Sequence, residues 1–406
     1  MTTTPTLPPL RGRGRLPNVV AELRRQVDQR VDFVLPVRDL TAQVAPDGRL
    51  HLVPQPSARD FLPAAGLPLL DQALAQYAAR LHPDVPLKFL RAACKLAPQR
   101  IADYLTGVMH DAGDKWFLRC LDGHVRAVLS DRYRVIESLD VVQSVLHGCQ
   151  DLPVRVLEAS VSDSHVRIKL VNPAVYTALD HGPAAGQSPH TWLRPDGTGA
   201  GTRANQEYLA QVVGSDLAQA ELQAGADTLW PTVTFGNSDT GHGSYHAQVG
   251  ILQAACFNLA TIERKIATVH IGERMDEGIF TAETVQASAR AMLLRTRDLI
   301  AAAFDSAKFR ELVALCTGAA RTAVAAPATA LANVIRLGPA LADGDLDALV
   351  RAYAEERPTV YGVGQAVARL AQDKHDPEVA ADLERLAGEI LTGKHTRAVL
   401  AAPATH

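Results

Sequence analysis

Apolar residues recur along this 406-residue chain with two periods, and the change from one to the other divides it. Near the start the pattern is short and strand-like. Val31 to Pro36 and Leu50 to Val53 read as strands around an Asp47-Gly48 turn signal, and a Pro-rich connector follows to Pro68. Leu69, Leu70, Ala73, Leu74, Tyr77, Ala78 and Leu81 then repeat at helical spacing, which predicts an amphipathic helix over 69–81. A second helix is expected from Pro98 to His110.

The region from Trp116 to Pro173 is the most regular. Trp116 to Leu121 and His124 to Ser130 flank Asp122-Gly123, a type I′ hairpin signal because both residues tolerate positive φ. A helix is expected over Leu139 to His147, then strands Val154 to Val161 and Ser164 to Val171 around Ser162-Asp163. Pairing across that two-residue turn puts Leu157, Ala159, Val161, Val166, Ile168 and Leu170 on one face, and Glu158, His165, Arg167 and Lys169 on the other. Glu158 falls opposite Arg167 in this register. The polar face is therefore either a phosphate-binding surface or a set of cross-strand ion pairs.

Residues 180–205 are rich in Gly, Pro and His without periodicity and read as a long loop, with a helix following from Asn205 to about Ala224. Trp230 to Phe235 and Tyr245 to Ile251 read as strands enclosing a polar loop, 236–244. From Thr281, a candidate N-cap, the period becomes helical: Val285, Met292, Leu293, Thr296, Leu299, Ile300 and Ala303 form one stripe. Helices are expected at Ala307 to Cys316, Ala328 to Leu337, Leu346 to Glu356, Val360 to Gln372 and Pro377 to Leu391. The fold class is α+β, with antiparallel β-hairpins packed against helices and a helical C-terminal subdomain. The expected divisions are a flexible basic N-terminal arm (1–30), an α+β core (31–275), the helical subdomain (276–395) and a tail (396–406).

Composition adds compartment and excludes some classes. Five cysteines, odd in number, scattered and without a C-x-x-C pair, indicate neither a disulfide framework nor a zinc ribbon, and suit reduced cytoplasmic thiols. The N-terminus has no apolar signal core and no stretch reads as a membrane span, so a cytoplasmic protein without a membrane partner is expected. With 41 basic against 44 acidic residues, net −3, the chain as a whole does not attract polyanions, and any nucleic-acid site must be local. Residues 1–30 carry six arginines against two acids. Arg11, Arg13 and Arg15, spaced by glycine, suit either a mobile arm on phosphates or a solubilising tail.

Three segments carry candidate chemistry. The Asn237 to His246 loop offers Asp239, His242 and His246, with Cys256 and His270 further on. These residues suit zinc ligation, a Mg²⁺ phosphoesterase if Asp131, Glu137 or Asp163 joins Asp239 in space, or simply a turn held by polar groups. In Ser130-Asp131-Arg132-Tyr133-Arg134, two arginines bracket an aromatic, the mixture that stacks a base and holds its phosphates; Tyr133 as a core anchor is the other reading. Glu263-Arg264-Lys265 is either a further phosphate contact or a solvated charge triplet. No Walker, Rossmann, nucleophile-elbow or H-E-x-x-H motif is present, so no catalytic residue and no cofactor is expected.

Leu129-Ser130-Asp131-Arg132-Tyr133, Asn237-Ser238-Asp239-Thr240-Gly241, Cys256-x-Asn258, His270-Ile271-Gly272 and Tyr361-Gly362-Val363-Gly364-Gln365-Ala366 occur in an order that resembles the domain-of-unknown-function 932 family of phage and plasmid proteins, over roughly residues 20–395. The mobile-element setting of that family implies DNA transactions. A hairpin, helix, hairpin core with a basic face is also similar in outline to single-strand annealing proteins, an analogy at the level of fold.

The expected function is therefore that of a homo-oligomeric, non-enzymatic protein of recombination or repair that binds and anneals single-stranded DNA. Arg132, Arg134, Arg167 and Lys169 would grip phosphates and Tyr133 would stack, with Arg11, Arg13, Arg15, Arg264 and Lys265 adding charge. One alternative is a nuclease or phosphoesterase centred on Asp239, His242 and His246, the only reading that requires a divalent metal. The other is a protein-interaction module using the helical C-terminal third.

Overall fold

The computed structural model describes residues 12–59, 62–81, 86–133, 135–172, 174–182, 228–253, 258–268, 282–338 and 341–401. The protein is α+β, with antiparallel sheets followed by helices. A short strand β1 (Gly12–Gly14) leads into helix α1 (Leu16–Gln29). Strands β2 (Val31–Pro36), β3 (Leu40–Val44), β4 (Leu50–Pro54) and β5 (Leu67–Pro68) precede helices α2 (Asp71–Leu81), α3 (Leu87–Leu96) and α4 (Pro98–Asp111). Next come β6 (Lys115–Leu121), β7 (His124–Ser130), α5 (Ser138–Gly148), β8 (Arg155–Val161), β9 (Val166–Val171) and β10 (Thr177–Ala178). Strands β11 (Thr228–Asn237), β12 (His246–Gln253) and β13 (Asn258–Thr268) complete the sheets. The rest is helical: α6 (Ala282–Ala303), α7 (Ser306–Arg321), α8 (Pro327–Leu337), α9 (Leu346–Ala354), α10 (Val360–Gln372), α11 (Pro377–Leu391) and α12 (Thr396–Val399).

The largest sheet runs β1-β8-β9-β11-β12-β13, with β10 also on β11; β2-β6-β7 and β3-β4-β5 form two smaller ones. The β6–β7 hairpin closes on Asp122 (φ 53°) and Gly123 (φ 74°), the two left-handed positions that its Asp-Gly dipeptide predicts. Leu157, Ala159, Val161, Val166, Ile168 and Leu170 are all buried, as the alternation requires.

Two apolar clusters organise these elements. One joins the large sheet to α1, α5 and the helices from α6 onward, through residues such as Leu23, Val142, Phe235, Ile300, Leu349, Val367 and Leu383. The other, around Leu40, Leu52, Tyr77, Met109, Trp116 and Leu118, fills the space between β2–β7 and α2–α4. In α10 the run Tyr361 to Gln365 is wholly buried, and a Cβ added at Gly364 would stand 2.6 Å from Leu391 Cδ2 on α11. The late glycine-bearing motif is thus a packing device between two helices.

The structure corrects several expectations. Residues 12–29 are not a flexible arm: β1 pairs with β8, and Leu16, Val19, Val20 and Leu23 pack on the larger cluster. The partner of β4 across Asp47-Gly48 is β3, whereas β2 pairs with β6. Helix α3 lies where no element was expected. The C-terminal helices do not form a core of their own, because they share one with the large sheet. The β8–β9 hairpin turns at Asp163-Ser164, one residue later than expected, with the Ser162 N–H donating to the His165 carbonyl, and this sets Glu158 opposite Lys169 and Ser160, instead of Glu158, opposite Arg167. The expected loop at 183–205, the helix from Asn205, and Thr281 fall outside the described residues. Among the described residues no helix is long and apolar enough to cross a membrane.

Candidate functional site

The two cores meet along a polar seam, and its centre is a pair of buried arginines. Arg119 on β6 and Arg126 on β7 are only 1% and 3% exposed, each flanked in its strand by apolar residues. Arg119 Nη2 donates to Glu137 Oε2 at 2.6 Å and lies 3.3 Å from Asp239 Oδ2. Arg126 Nη2 donates to the Asp163 carbonyl at 2.8 Å and sits 3.6 Å from Asp239 Oδ1, while its Nη1 donates to Gln26 Oε1. Arg30 closes the ring onto Glu137 at 2.5 Å and onto Asp32 at 3.2 Å.

Burial works to lower the Arg119 pKa, but Asp239, Glu137 and Asp32 together outweigh it and raise the value, which keeps the guanidinium charged. Burial pushes the Asp32 carboxyl up against the pull of Arg119 and Arg30. Removing one member of such a set leaves buried charge unmatched, which typically costs about 3–5 kcal/mol.

The same seam explains the polar loop. Asn237, Ser238, Asp239 and Thr240 are all buried. Asn237 Nδ2 donates to the Ile136 carbonyl and to Ser138 Oγ, Ser238 Oγ accepts from the His242 N–H, and Gln76 Nε2 donates to the Thr240 carbonyl. Glu137 does join Asp239 in space, but a guanidinium stands between them. His242 lies beside His165, with ring centroids 6.5 Å apart, and His246 Nδ1 faces the Ser244 carbonyl. Asp239, His242 and His246 therefore do not converge. Among the described residues no group of three His, Cys, Asp or Glu side chains is placed to hold a metal ion. Cys256 and His270 lie outside the described residues.

The expected phosphate-gripping residues are dispersed. Arg132 is exposed in the turn after β7, whereas Tyr133 is half-buried against Phe117, Ala127 and Leu129 and serves as an anchor for that turn. Lys169 donates to Glu158 at 3.2 Å and to Glu384 on α11 at 2.6 Å, and is buried. Arg167 is also covered, its Nη1 reaching the Pro377 carbonyl at the start of α11. The polar face of β8–β9 therefore packs against α11, with Glu384 of that helix pairing with Lys169. Arg13 lies in β1 and Arg15 is exposed just after it; Arg264 and Lys265 lie in β13. Arg11 and Arg134 fall outside the described residues.

A basic surface does exist, on helices α3 and α4. Leu90 and Cys94 turn inward from α3, leaving Lys88, Phe89, Arg91, Lys95 and Leu96 exposed, and α4 adds exposed Arg100 and Tyr104. Phe89, Leu96 and Tyr104 are 62%, 85% and 64% exposed. The α3 segment LKFLRAACKL contains three basic and no acidic residues. Asp71 pairs with Arg91 at 2.8 Å, and Asp103 accepts from Gln99. The sequence signal was present: apolar Leu87, Leu90 and Cys94 at helical spacing, with cations and an aromatic on the other side.

No family model, curated protein or solved structure matches the chain.

Proposed function

We propose that the protein binds single-stranded DNA through the α3–α4 face. The observation that carries this reading is the exposure, on two adjoining helices, of Phe89 and Tyr104 among Lys88, Arg91, Lys95 and Arg100. Exposed aromatic rings offer stacking platforms for unpaired bases, and cations around them hold the phosphates; duplex DNA hides its base faces and gains only the second term. The ordered sequence motifs that resemble a phage and plasmid family are consistent with the same class of partner.

The test is fluorescence anisotropy with labelled single- and double-stranded oligonucleotides at about 0.15 M salt, with strand integrity read in parallel. Tighter binding of single strands, weakened in Lys88→Ala/Lys95→Ala/Arg100→Ala, is expected. Equal affinity of that variant and the parent protein removes the face from consideration. Metal-dependent cutting would redirect attention to a phosphoesterase.

A further inference from the structure

The β2-β6-β7 sheet has two edges, and the fold treats them differently. Along β7 the outward backbone groups are taken. The Leu70 N–H donates to the Val125 carbonyl, Gln76 Oε1 accepts from the Val128 N–H, and Arg80 Nε donates to the Val128 carbonyl. Helix α2 and the residue before it thus close that edge, one of the ways in which proteins keep a sheet from growing.

The β2 edge carries no such cover. The Val37 N–H donates to the Asp114 carbonyl, one step beyond the β2–β6 ladder and in its register, so Val31, Phe33 and Leu35 turn their backbone groups to β6 while Asp32 and Val34 turn theirs away. Among the described residues no hydrogen bond reaches those outward groups. Val31 and Val34 point to opposite faces of the sheet and are 51% and 44% exposed, although the residues opposite them on β6, Cys120 and Phe117, are buried. Both flanks of the strand are therefore open. Its one charge, Asp32, is drawn aside by Arg30 at 3.2 Å and does not guard the edge.

The sequence of the strand makes this edge complementary to itself. Two copies run antiparallel about a two-fold axis through Phe33 set Asp32 of one against Val34 of the other, and every outward N–H and C=O of both residues then finds a partner. Moving the axis by one residue is worse in either direction. Centred on Asp32, it opposes two carboxylates; centred on Val34, it sets Asp32 against Pro36, which has no N–H to give. The charges past the strand ends agree with the Phe33 register. Arg38, just after β2, comes beside the last turn of α1 in the second copy, which carries Asp28 and no basic residue; both side chains are exposed, and the free carbonyls of that helix end add negative charge.

We propose that two copies of this chain associate through β2, joining their small sheets into one antiparallel sheet across a two-fold axis at Phe33. The proposal is independent of the α3–α4 reading, and it specifies the contact of the expected homo-oligomer.

The experiment is sedimentation velocity of the full chain across about a hundredfold range of concentration. A concentration-dependent rise from 43.5 kDa to twice that mass is the expected result. Val34→Pro deletes an outward donor that β6 does not use, so circular dichroism and Tm should stay close to those of the parent protein while dimerisation weakens about tenfold or more. Asp28→Arg and Arg38→Asp are the second test, at exposed positions that leave the core untouched. Each places like charges at both ends of the contact and should weaken the dimer about tenfold, because the two-fold axis applies the change twice. Mixing the two single variants, or combining both substitutions in one chain, should restore it. A chain that stays at 43.5 kDa throughout overturns the proposal and leaves the edge to an extended segment of another protein. A dimer that Val34→Pro and both charge variants leave undiminished overturns it as well, because its contact then lies elsewhere.

Discussion

Lys169 on β9 and Glu384 on α11 meet at 2.6 Å with each side chain only 5% exposed, so the strand face that would otherwise present a cation is sealed by a helix carrying the matching anion. Such a pair gains specificity of docking more than stability, because both ions lose their hydration. Glu384→Ala should destabilise the fold by about 3 kcal/mol, Glu158 supplying partial compensation, while Lys169→Met/Glu384→Leu should recover most of that loss. Urea denaturation measures both. DNA affinity should be unchanged in the double variant; a large loss there would mean that Lys169 reaches DNA after all.

Phe89 and Tyr104 are the most discriminating positions on the exposed face, because phosphate contacts alone do not distinguish strands. Phe89→Ala and Tyr104→Ala should each cost about 1–3 kcal/mol in single-strand binding if each stacks one base, with little change for duplex. The charge variants should act differently, lowering the magnitude of the log–log salt slope by about 0.7 for each lost contact to a single strand. Titrations at several salt concentrations separate the two effects.

The hairpins were legible because their signals are local. Asp122-Gly123 names its own turn, and the alternation from Leu157 to Leu170 names the buried face. The α1 helix was hidden by its surroundings: Leu16, Val19, Val20 and Leu23 have the helical period, but the arginine, glycine and proline before them read as a disordered arm. The partner of Glu158 was lost because the turn falls on Asp163-Ser164 and not on Ser162-Asp163; both dipeptides carry turn-forming residues, and moving the turn by one residue shifts the pairing by two. Arg119 and Arg126 could be noticed as cations flanked on both sides by apolar strand residues. Their partner Asp239, more than a hundred residues away, is brought to them only by the packing of one core on the other.

Asp239→Asn tests that junction. The substitution keeps the shape of the side chain but removes the charge shared by Arg119 and Arg126, both buried. A loss of about 3–5 kcal/mol in unfolding free energy is expected, with the two cores loosening along the seam. Hydrogen exchange should quicken at β6, β7 and the Asn237 to Gly241 loop before it does in α10 and α11. Uniform quickening would show that the seam is not a separate unit of stability.

Acidification should loosen a different contact, in two stages that can be told apart. Glu378, near the start of α11, accepts from His165 and from the Ser162 and Ser164 hydroxyls, and these bonds hold its pKa well below the usual carboxylate range despite partial burial. His242 is shifted the same way: burial first, and the neighbouring His165 second, lower its pKa, so the folded state favours the neutral ring. For both groups the unfolded chain takes up protons before the folded one does, so stability rises with pH and falls on acidification. The His242 contribution is complete above about pH 6.5 and is lost as the pH drops through its lower folded value; that of Glu378 is complete above about pH 4.3 and disappears below it. Urea midpoints measured from neutral pH downward should therefore decline in an early and a late phase. His242→Gln should flatten the early phase alone, and Glu378→Gln the late one, while also releasing the β8–β9 turn from α11. A midpoint that stays constant from pH 7 to pH 5 in the parent protein would show that His242 does not titrate in the burial the fold gives it.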